Sequence, residues 1–380
     1  MIKKDKIFYY IAGYLNMYFC DCSLNYDPSQ ESLLQHRLRN VFCYLGLRNT
    51  NRDLTWLSPF LSIGESVFST ILVFVRFFFI LIRRLATRKK YYNNQTIVAP
   101  LIISQFRIKK ILESIRPVEV CTLKIPFINN CYHENEIDLI SVISVTDIFS
   151  SWIASWKTIW ILYLKYRNRD PLFRSYSSFE YYLTCSFIEK TKGHNRFVYY
   201  NTYDRWAFLM SNTPRSIFIQ HGKLPESLHI IKVGTPEKAF YINESQRIIL
   251  EKVLLKYPAK ESNYRPLLEF TCNDLLENNG KKNVLLVCWS NNINYEQRIC
   301  QLINSDCNLL IKPHPGDKDN PEYVEMKEKY GCKIVPKTGY PKVDIVISYD
   351  STLADEYDDA GVRVIRYDLL SDLCEIRKMI

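Results

Sequence analysis

Beyond Arg196 the chain alternates short apolar runs with stretches of helical period, and the alternation sharpens toward the C-terminus. Phe197-Val198-Tyr199-Tyr200 predicts a strand, Asn201–Asp204 a turn, Arg205–Met210 a helix, and Ser216–Gln220 a second strand that stops at His221-Gly222. Phe240-Tyr241-Ile242 predicts another short strand and Ser245–Leu255 a helix. Asn283–Cys288 (NVLLVC) is apolar throughout, as suits a parallel strand covered on both faces. The cadence continues with a helix over Tyr295–Ser305, a strand over Asn308–Lys312, a helix over Pro321–Tyr330 and a short strand over Cys332–Val335. It ends with a strand over Val343–Ser348, a helix over Ser351–Ala360 stopped by Gly361, and a strand over Val362–Arg366. Strands alternating with helices imply a doubly wound parallel sheet.

The first half is less regular. Thr96–Ser104 and Asp138–Val145 are apolar runs of strand length. Phe149–Tyr166 carries Trp152, Trp156 and Trp160 at i, i+4 and i+8, a helical stripe expected to face a core. Val67–Ile82 reads VFSTILVFVRFFFILI, sixteen residues with Arg76 in the middle, followed by Arg83-Arg84 and Arg88-Lys89-Lys90. It is short for a membrane span. A buried core helix, a helix lying in a membrane interface and held there by the cations that follow, and a span all remain open for residues 67–90. Residues 1–66 have weak periodicity and predict little. Glu261–Lys282 is polar, and its Asn278-Asn279-Gly280-Lys281-Lys282 reads as a linker, dividing the chain into domains 1–275 and 281–380.

At 380 residues the chain is long enough for two domains with substantial cores. Its 47% hydrophobic and 24% charged residues match a folded globular protein. Glycine is scarce, and neither a Walker-type loop nor a GxGxxG after a strand is present, which removes the main support for P-loop and dinucleotide-binding readings. A net charge of +10 implies an anionic partner such as nucleic acid, lipid headgroups or a charged sugar nucleotide. Lysines and arginines are dispersed and form no nucleic-acid recognition module, so no nucleic-acid partner is expected. The twelve cysteines show only a lone CxC at Cys20 and Cys22, so they are expected to be reduced structural thiols. Met1–Tyr10 lacks an apolar signal core, and a cytoplasmic location follows as an expectation.

Ligands of open α/β sheets bind outside the carboxyl ends of the strands. Three polar clusters fall there: Ser290-Asn291-Asn292, Lys312-Pro313-His314-Pro315, and Ser348-Tyr349-Asp350-Ser351-Thr352. Ser351 and Thr352 open a helix, where free backbone N–H groups and the dipole favour an anion, although a plain N-cap needs the same residue types. His314 between two prolines is held rigidly, pre-aimed to donate to a leaving phosphate, and Lys312 adds charge beside it.

Ile311-Lys312-Pro313-His314-Pro315, followed by Asp344–Ser348 and Ser351-Thr352, resembles the C-terminal lobe of GT-B glycosyltransferases that use CMP-activated acidic sugars. These are the bacterial sialyl-, polysialyl- and Kdo-transferases of surface polysaccharides. Ile217–Gly222 is similar to the "QHG" strand end of capsule-biosynthesis and teichoic-acid glycerophosphotransferase families, and Asn201 and Arg205 fit their strand-turn-helix. The resemblance covers Arg196–Arg366. It implies two Rossmann-like lobes with parallel sheets and a cleft between them. His314, Ser351 and Thr352 would then be donor-phosphate ligands, with Lys312, Ser290 and Asn291 beside them.

The acidic triplet that supplies the general base in inverting sialyltransferases is absent from residues 1–270. His221, whose imidazole titrates near neutrality, is the first candidate for the acid/base role. Asp204 is the second, as base or nucleophile. The expected activity is transfer of a CMP-linked ulosonic acid (Kdo, sialic or related) to a glycan or glycolipid acceptor at the inner face of the cytoplasmic membrane. Neither a metal nor a cofactor beyond the CMP-sugar substrate is expected. A CDP-glycerol- or CDP-ribitol-type phosphotransferase shares the same signatures and is the alternative.

Overall fold

Among the described residues, seven parallel strands make the first sheet. They are β1 (Thr96–Val98), β2 (Val120–Lys124), β3 (Glu136–Asp138), β4 (Arg196–Tyr199), β5 (Ser216–Ile219), β6 (Lys238–Tyr241) and β7 (Glu261–Tyr264). Their order is β3-β2-β1-β4-β5-β6-β7, with every pairing parallel. The chain winds outward from β1 to β3, then returns to the other side of β1 to lay down β4, so the topological switch point lies between β1 and β4. This is a computed structural model. It describes residues 4–25, 58–91, 96–98, 111, 120–127, 135–166, 175–199, 204–220, 222–224, 226, 230–265, 268–289, 292–314, 321–336, 339–349, 351–370 and 372–380. The chain forms two units, Met1–Arg265 and Pro266–Ile380.

In the first unit the helices are α1 (Lys4–Asn25), α2 (Ser58–Ala86), α3 (Leu139–Val142), α4 (Val145–Tyr166), α5 (Ser178–Thr191), α6 (Arg205–Ser211) and α7 (Glu244–Val253). Helix α1 lies where periodicity predicts little, because its inner face mixes apolar and polar groups. Tyr10 and Tyr14 are buried with their hydroxyls on Ser177 Oγ at 3.2 and 2.6 Å. Buried Asn16 donates to Ile231 O and accepts from Ile231 N, both at 2.8 Å. Gly13 brings α1 against α6 so closely that a Cβ there would lie 2.4 Å from the backbone nitrogen of Arg205.

Two expectations for this unit need correction, and one open choice is narrowed. The run Asp138–Val145 is not a strand. It forms the end of β3 and the single turn α3, capped by Asp138 accepting from Ile140 N, with Leu139, Ile140 and Val142 buried. Burial on all sides removes the period that would separate the two states. The tryptophan stripe of α4 meets the core only at Trp152, whose ring lies 5.0 Å from that of Phe77: Trp156 and Trp160 are exposed, while Ser151, Ala154, Ser155, Thr158 and Ile159 are buried. Of the alternatives open for Val67–Ile82, the buried core helix is the one that does not fit: the segment belongs to a 29-residue helix, α2, and among its described side chains only the Ser62-Ser66-Ser69-Val73-Phe77-Ile80 edge is buried.

The second unit has β8 (Asn283–Cys288), β9 (Asn308–Pro313), β10 (Lys333–Ile334), β11 (Ile345–Ser348) and β12 (Arg363–Arg366) in the order β10-β9-β8-β11-β12, all parallel. Leu286, Ile311 and Ile347 point to one face, under α8 (Ile293–Ile303), α9 (Pro321–Tyr330) and α11 (Cys374–Met379). Leu285, Leu310 and Val346 point to the other, under α10 (Thr352–Asp359). Within each unit the strands run third-second-first-fourth-fifth, the doubly wound order of Rossmann-like sheets. This is the α/β class with doubly wound parallel sheets that the strand-helix cadence predicts, in the two Rossmann-like lobes that the resemblance implies.

The division between units falls at Arg265, about ten residues before the expected linker. Polar Glu261–Tyr264 is the edge strand β7, where exposure of one side tolerates charge. Leu268, Phe270, Leu275 and Leu276 pack on the second sheet, and Thr271 N donates to Tyr340 O at 2.6 Å. Asn278–Lys282 is a surface turn of the second unit, with Gly280 at φ +81° and Asn279 bonded to Asn308 at 2.9 Å. Cys121, Cys185, Cys272, Cys288, Cys300, Cys307, Cys332 and Cys374 are free thiols, and six of these eight are buried.

Candidate functional site

The second sheet switches direction between β8 and β11. The register pairs Ser348 with Val287, so the two carboxyl ends emerge side by side. Open α/β sheets bind ligands in this crevice. Two of the three predicted polar clusters follow these two strands, and the third, at Lys312–His314, follows β9 one strand away. Ser290 and Asn291 fall outside the described residues. Their flanks are held tightly: Trp289 N donates to the buried Glu296 carboxylate at 2.7 Å, and Asn292 N donates to Trp289 O at 2.8 Å.

On the β11 side Ser351 is the N-cap of α10, extended at φ −140°, and its Oγ accepts from Leu353 N at 3.2 Å. That leaves the hydroxyl proton to donate outward. The N–H groups of Thr352 and Ala354 are in the helix's first turn and have no intrahelical acceptor by position. Asp355 in that turn would repel an anion, but it is buried and ion-paired with Arg366 from the end of β12. The pair cancels the acidic charge and leaves the helix dipole with its positive end free to act. Two aromatic rings stand at the same edge: Trp289 is 37% and Tyr349 42% exposed. Tyr349 leans on Tyr367 at 5.6 Å, and burial holds the Tyr367 phenol well above its ordinary range. Neither Trp289 nor Arg366 is conspicuous in the sequence; both are found only because the sheet order places β8, β11 and β12 together.

His314 is exposed at the end of β9, one residue past Pro313. Lys312 is not the open phosphate ligand its sequence position suggests. It is 6% exposed, lies over the Tyr340 ring at 4.7 Å, and donates to Pro336 O at 2.9 Å and Gly339 O at 2.7 Å. Alternation along β9 puts it on the Leu310 face, where it ties Pro336, Gly339 and Tyr340 to the sheet. The expectation of a metal-free site must be set against Asp317-Lys318-Asp319, two carboxylates one residue apart just past His314. They too lie outside the described residues, among which no group of three or more His, Cys, Asp or Glu is placed to hold a metal ion.

In the first unit His221 and Asn201 lie outside the described residues. Asp204 follows β4, at that sheet's own switch point, and is 2% exposed. Its Oδ1 accepts from Trp206 N and Ala207 N, each at 2.9 Å, so one oxygen is committed to capping α6. Arg205 stacks on Tyr14 and Trp206 at 5.2 and 5.1 Å, and Tyr14, Tyr10, Asp204 and Glu180 around it raise its pKa further despite burial.

The strand end before His221 is anchored by a residue the sequence does not signal. Buried Gln220 donates to Gln246 Oε1 at 2.8 Å and to Gly222 O at 2.9 Å, and accepts from Ile242 N at 2.9 Å. The same Gln246 oxygen accepts from Leu224 N at 3.0 Å. The backbone on both sides of His221 is thereby fixed. Gln246 is 26 residues away on α7, with nothing in the sequence to link the two.

No family model matches the chain, and no curated protein matches it by sequence. Among solved structures, the wall teichoic acid polymerase TagF is similar over 81% of this chain and 80% of its own, at 11% identity and a TM-score of 0.36. At that score the likeness supports neither a fold assignment nor a function.

Proposed function

We propose that this chain is a transferase that uses a cytidine-nucleotide donor, with the donor nucleotide at the carboxyl edge of the second sheet. The observation that carries the reading is the α10 N-terminus at the β8–β11 switch point. There, open amides and the hydroxyls of Ser351 and Thr352 suit a phosphate, the Asp355 charge is cancelled, and exposed Trp289 and Tyr349 offer faces for a base. His314, exposed at the adjoining strand end, would protonate or hydrogen-bond the departing CMP phosphate.

The donor favoured by the Lys312–Pro315 and Ser351-Thr352 resemblance is a CMP-linked ulosonic acid, passed to a glycan or glycolipid acceptor of a bacterial surface polymer. His221 would take the acceptor proton. A CDP-glycerol-type donor is the second reading, favoured by one observation: residues 1–270 hold no acidic triplet of the kind inverting sialyl transfer uses as base. Incubation of the protein with CMP-Kdo, CMP-sialate or CDP-glycerol, with and without EDTA, separates them. CMP release from either sugar donor supports the first reading, and release from CDP-glycerol alone replaces it with the second. Release from none of the three, with no CMP binding, overturns both.

A further inference from the structure

Helices α2 and α4 pack together with most of their large apolar side chains outward. Their inward positions combine core residues (Val73, Phe77, Ile80, Ile148, Ile159) with small or polar ones: Ser62, Ser66 and Ser69 on α2, and Ser151, Ser155 and Thr158 on α4. Several of these hydroxyls turn back on their own helix, Ser66 onto Ser62 O at 2.9 Å, Ser155 onto Ser151 O at 2.7 Å and Thr158 onto Ala154 O at 2.9 Å. The outward positions are large and apolar, among them Ile71 (59% exposed), Phe78 and Ile82 on α2 and Ile153, Trp156 (49%) and Leu164 on α4. Small residues between helices with apolar residues outside is the arrangement of helices packed in lipid. An exposed apolar surface on this scale marks an interaction site.

Charge identifies the occupant. The two helices contain only two acids, Glu65 and Asp147, and both are taken up by partners within the unit. Glu65 accepts from Ser175 N at 2.7 Å, and Asp147 accepts from Ser144 N at 2.6 Å and pairs with Lys190. The one cation within the apolar run, Arg76, reaches inward to Glu180 at 2.6 Å. What remains outward is basic: Arg88, Lys89 and Lys90 just beyond α2, and Lys157 and Lys165 on α4, are all exposed. An apolar face edged by cations, with no exposed carboxylate on its helices, complements an anionic lipid surface.

By length, Ser62–Ala86 could cross a membrane. Its anchors exclude that as a lone span. Glu65, Arg76, Arg83 and Arg84 bond to Ser175, Glu180, Asp138 and Ile143 O respectively, fixing about 28 Å of helix sideways onto the unit.

We infer that the paired outer faces of α2 and α4 lie flat in the interface of a bilayer containing anionic phospholipid, with Trp156 and Trp160 at headgroup depth and Arg88–Lys90 among the headgroups. The inference stands apart from the transferase reading. The test is flotation of the full-length protein with phosphatidylcholine vesicles, with or without phosphatidylglycerol, alongside gel filtration without lipid. The wild type floats with the phosphatidylglycerol vesicles. Ile71→Glu combined with Trp156→Glu abolishes flotation with an unchanged melting temperature, since both side chains already face solvent. Replacing Arg88, Lys89 and Lys90 with Ser weakens binding roughly a hundredfold and removes most of its salt dependence. Flotation of the double variant equal to the wild type would overturn the inference. So would a lipid-free wild-type dimer that the double variant dissociates, because the face would then belong to a second copy.

Discussion

Substituting Ser351 with Asp separates the two roles that a hydroxyl at the α10 N-terminus can have. Asp caps helices as well as Ser, and its carboxylate would accept from Leu353 N as the hydroxyl does at 3.2 Å. The added negative charge also sits favourably on the dipole, by about 0.3–1 kcal/mol. Folding stability is therefore expected to hold or rise slightly. Donor binding should behave in the opposite way. A carboxylate placed about 4 Å from a bound phosphate, at an effective dielectric constant of about 20, costs on the order of 4 kcal/mol, or roughly a thousandfold in affinity. Thermal unfolding and calorimetric titration with CMP measure the two quantities on one sample. Ser351→Ala should show the reverse balance, losing about 1 kcal/mol of stability with a milder loss of CMP affinity. If Ser351→Asp binds CMP as tightly as the wild type, Ser351 is only a cap and the phosphate site is elsewhere.

Three further outcomes follow from the packing. Gly13→Ala gains helix propensity of about 1 kcal/mol, but its methyl would meet the Arg205 backbone at 2.4 Å, so a net loss of about 1–3 kcal/mol is expected in urea unfolding, and a stabilised variant would contradict the α1–α6 contact. Gln246→Leu strips the acceptor from Gln220 Nε2 and Leu224 N, leaving two buried donors unpaired at about 1–3 kcal/mol each, with Gln246→Glu milder because it keeps the acceptor. If His221 takes the acceptor proton, turnover of the Leu variant should fall more than CMP affinity does. Burial raises the Glu180 carboxyl to about 7, overcoming the opposing pull of Arg76. From pH about 4.5 to 7 the unfolded chain ionises this group while the folded chain does not, so stability falls by about 1.4 kcal/mol per pH unit and levels off above 7. Urea midpoints across that range should show the fall in the wild type and a flatter course in Glu180→Gln.

Most strands of the second unit were legible because an apolar run stands apart from the next across a helix, as Asn283–Cys288 does from Asn308–Pro313. The first unit was harder to read for identifiable reasons. Helix α1 buries tyrosines and an asparagine, and α3 is buried all round. In α2 and α4 apolar side chains lie on both the inner and the outer faces, so the period does not mark the core side, and of the tryptophan stripe only Trp152 meets the core. At the site, Ser351 and Thr352 could be read from helix-start chemistry. The Arg366–Asp355 pair and the burial of Lys312 depend on strand order and on which face of β9 a residue occupies. The Gln220–Gln246 contact joins two elements whose adjacency only the sheet creates.

A crystal structure of the protein with CMP shows whether the donor nucleotide binds at the β8–β11 switch point. The phosphate is expected within hydrogen-bond distance of the Thr352 N–H and the Ser351 hydroxyl, with the cytosine against Trp289 or Tyr349 and His314 facing the phosphate. CMP bound at any other strand end, or a phosphate that leaves the α10 N-terminus untouched, would contradict it.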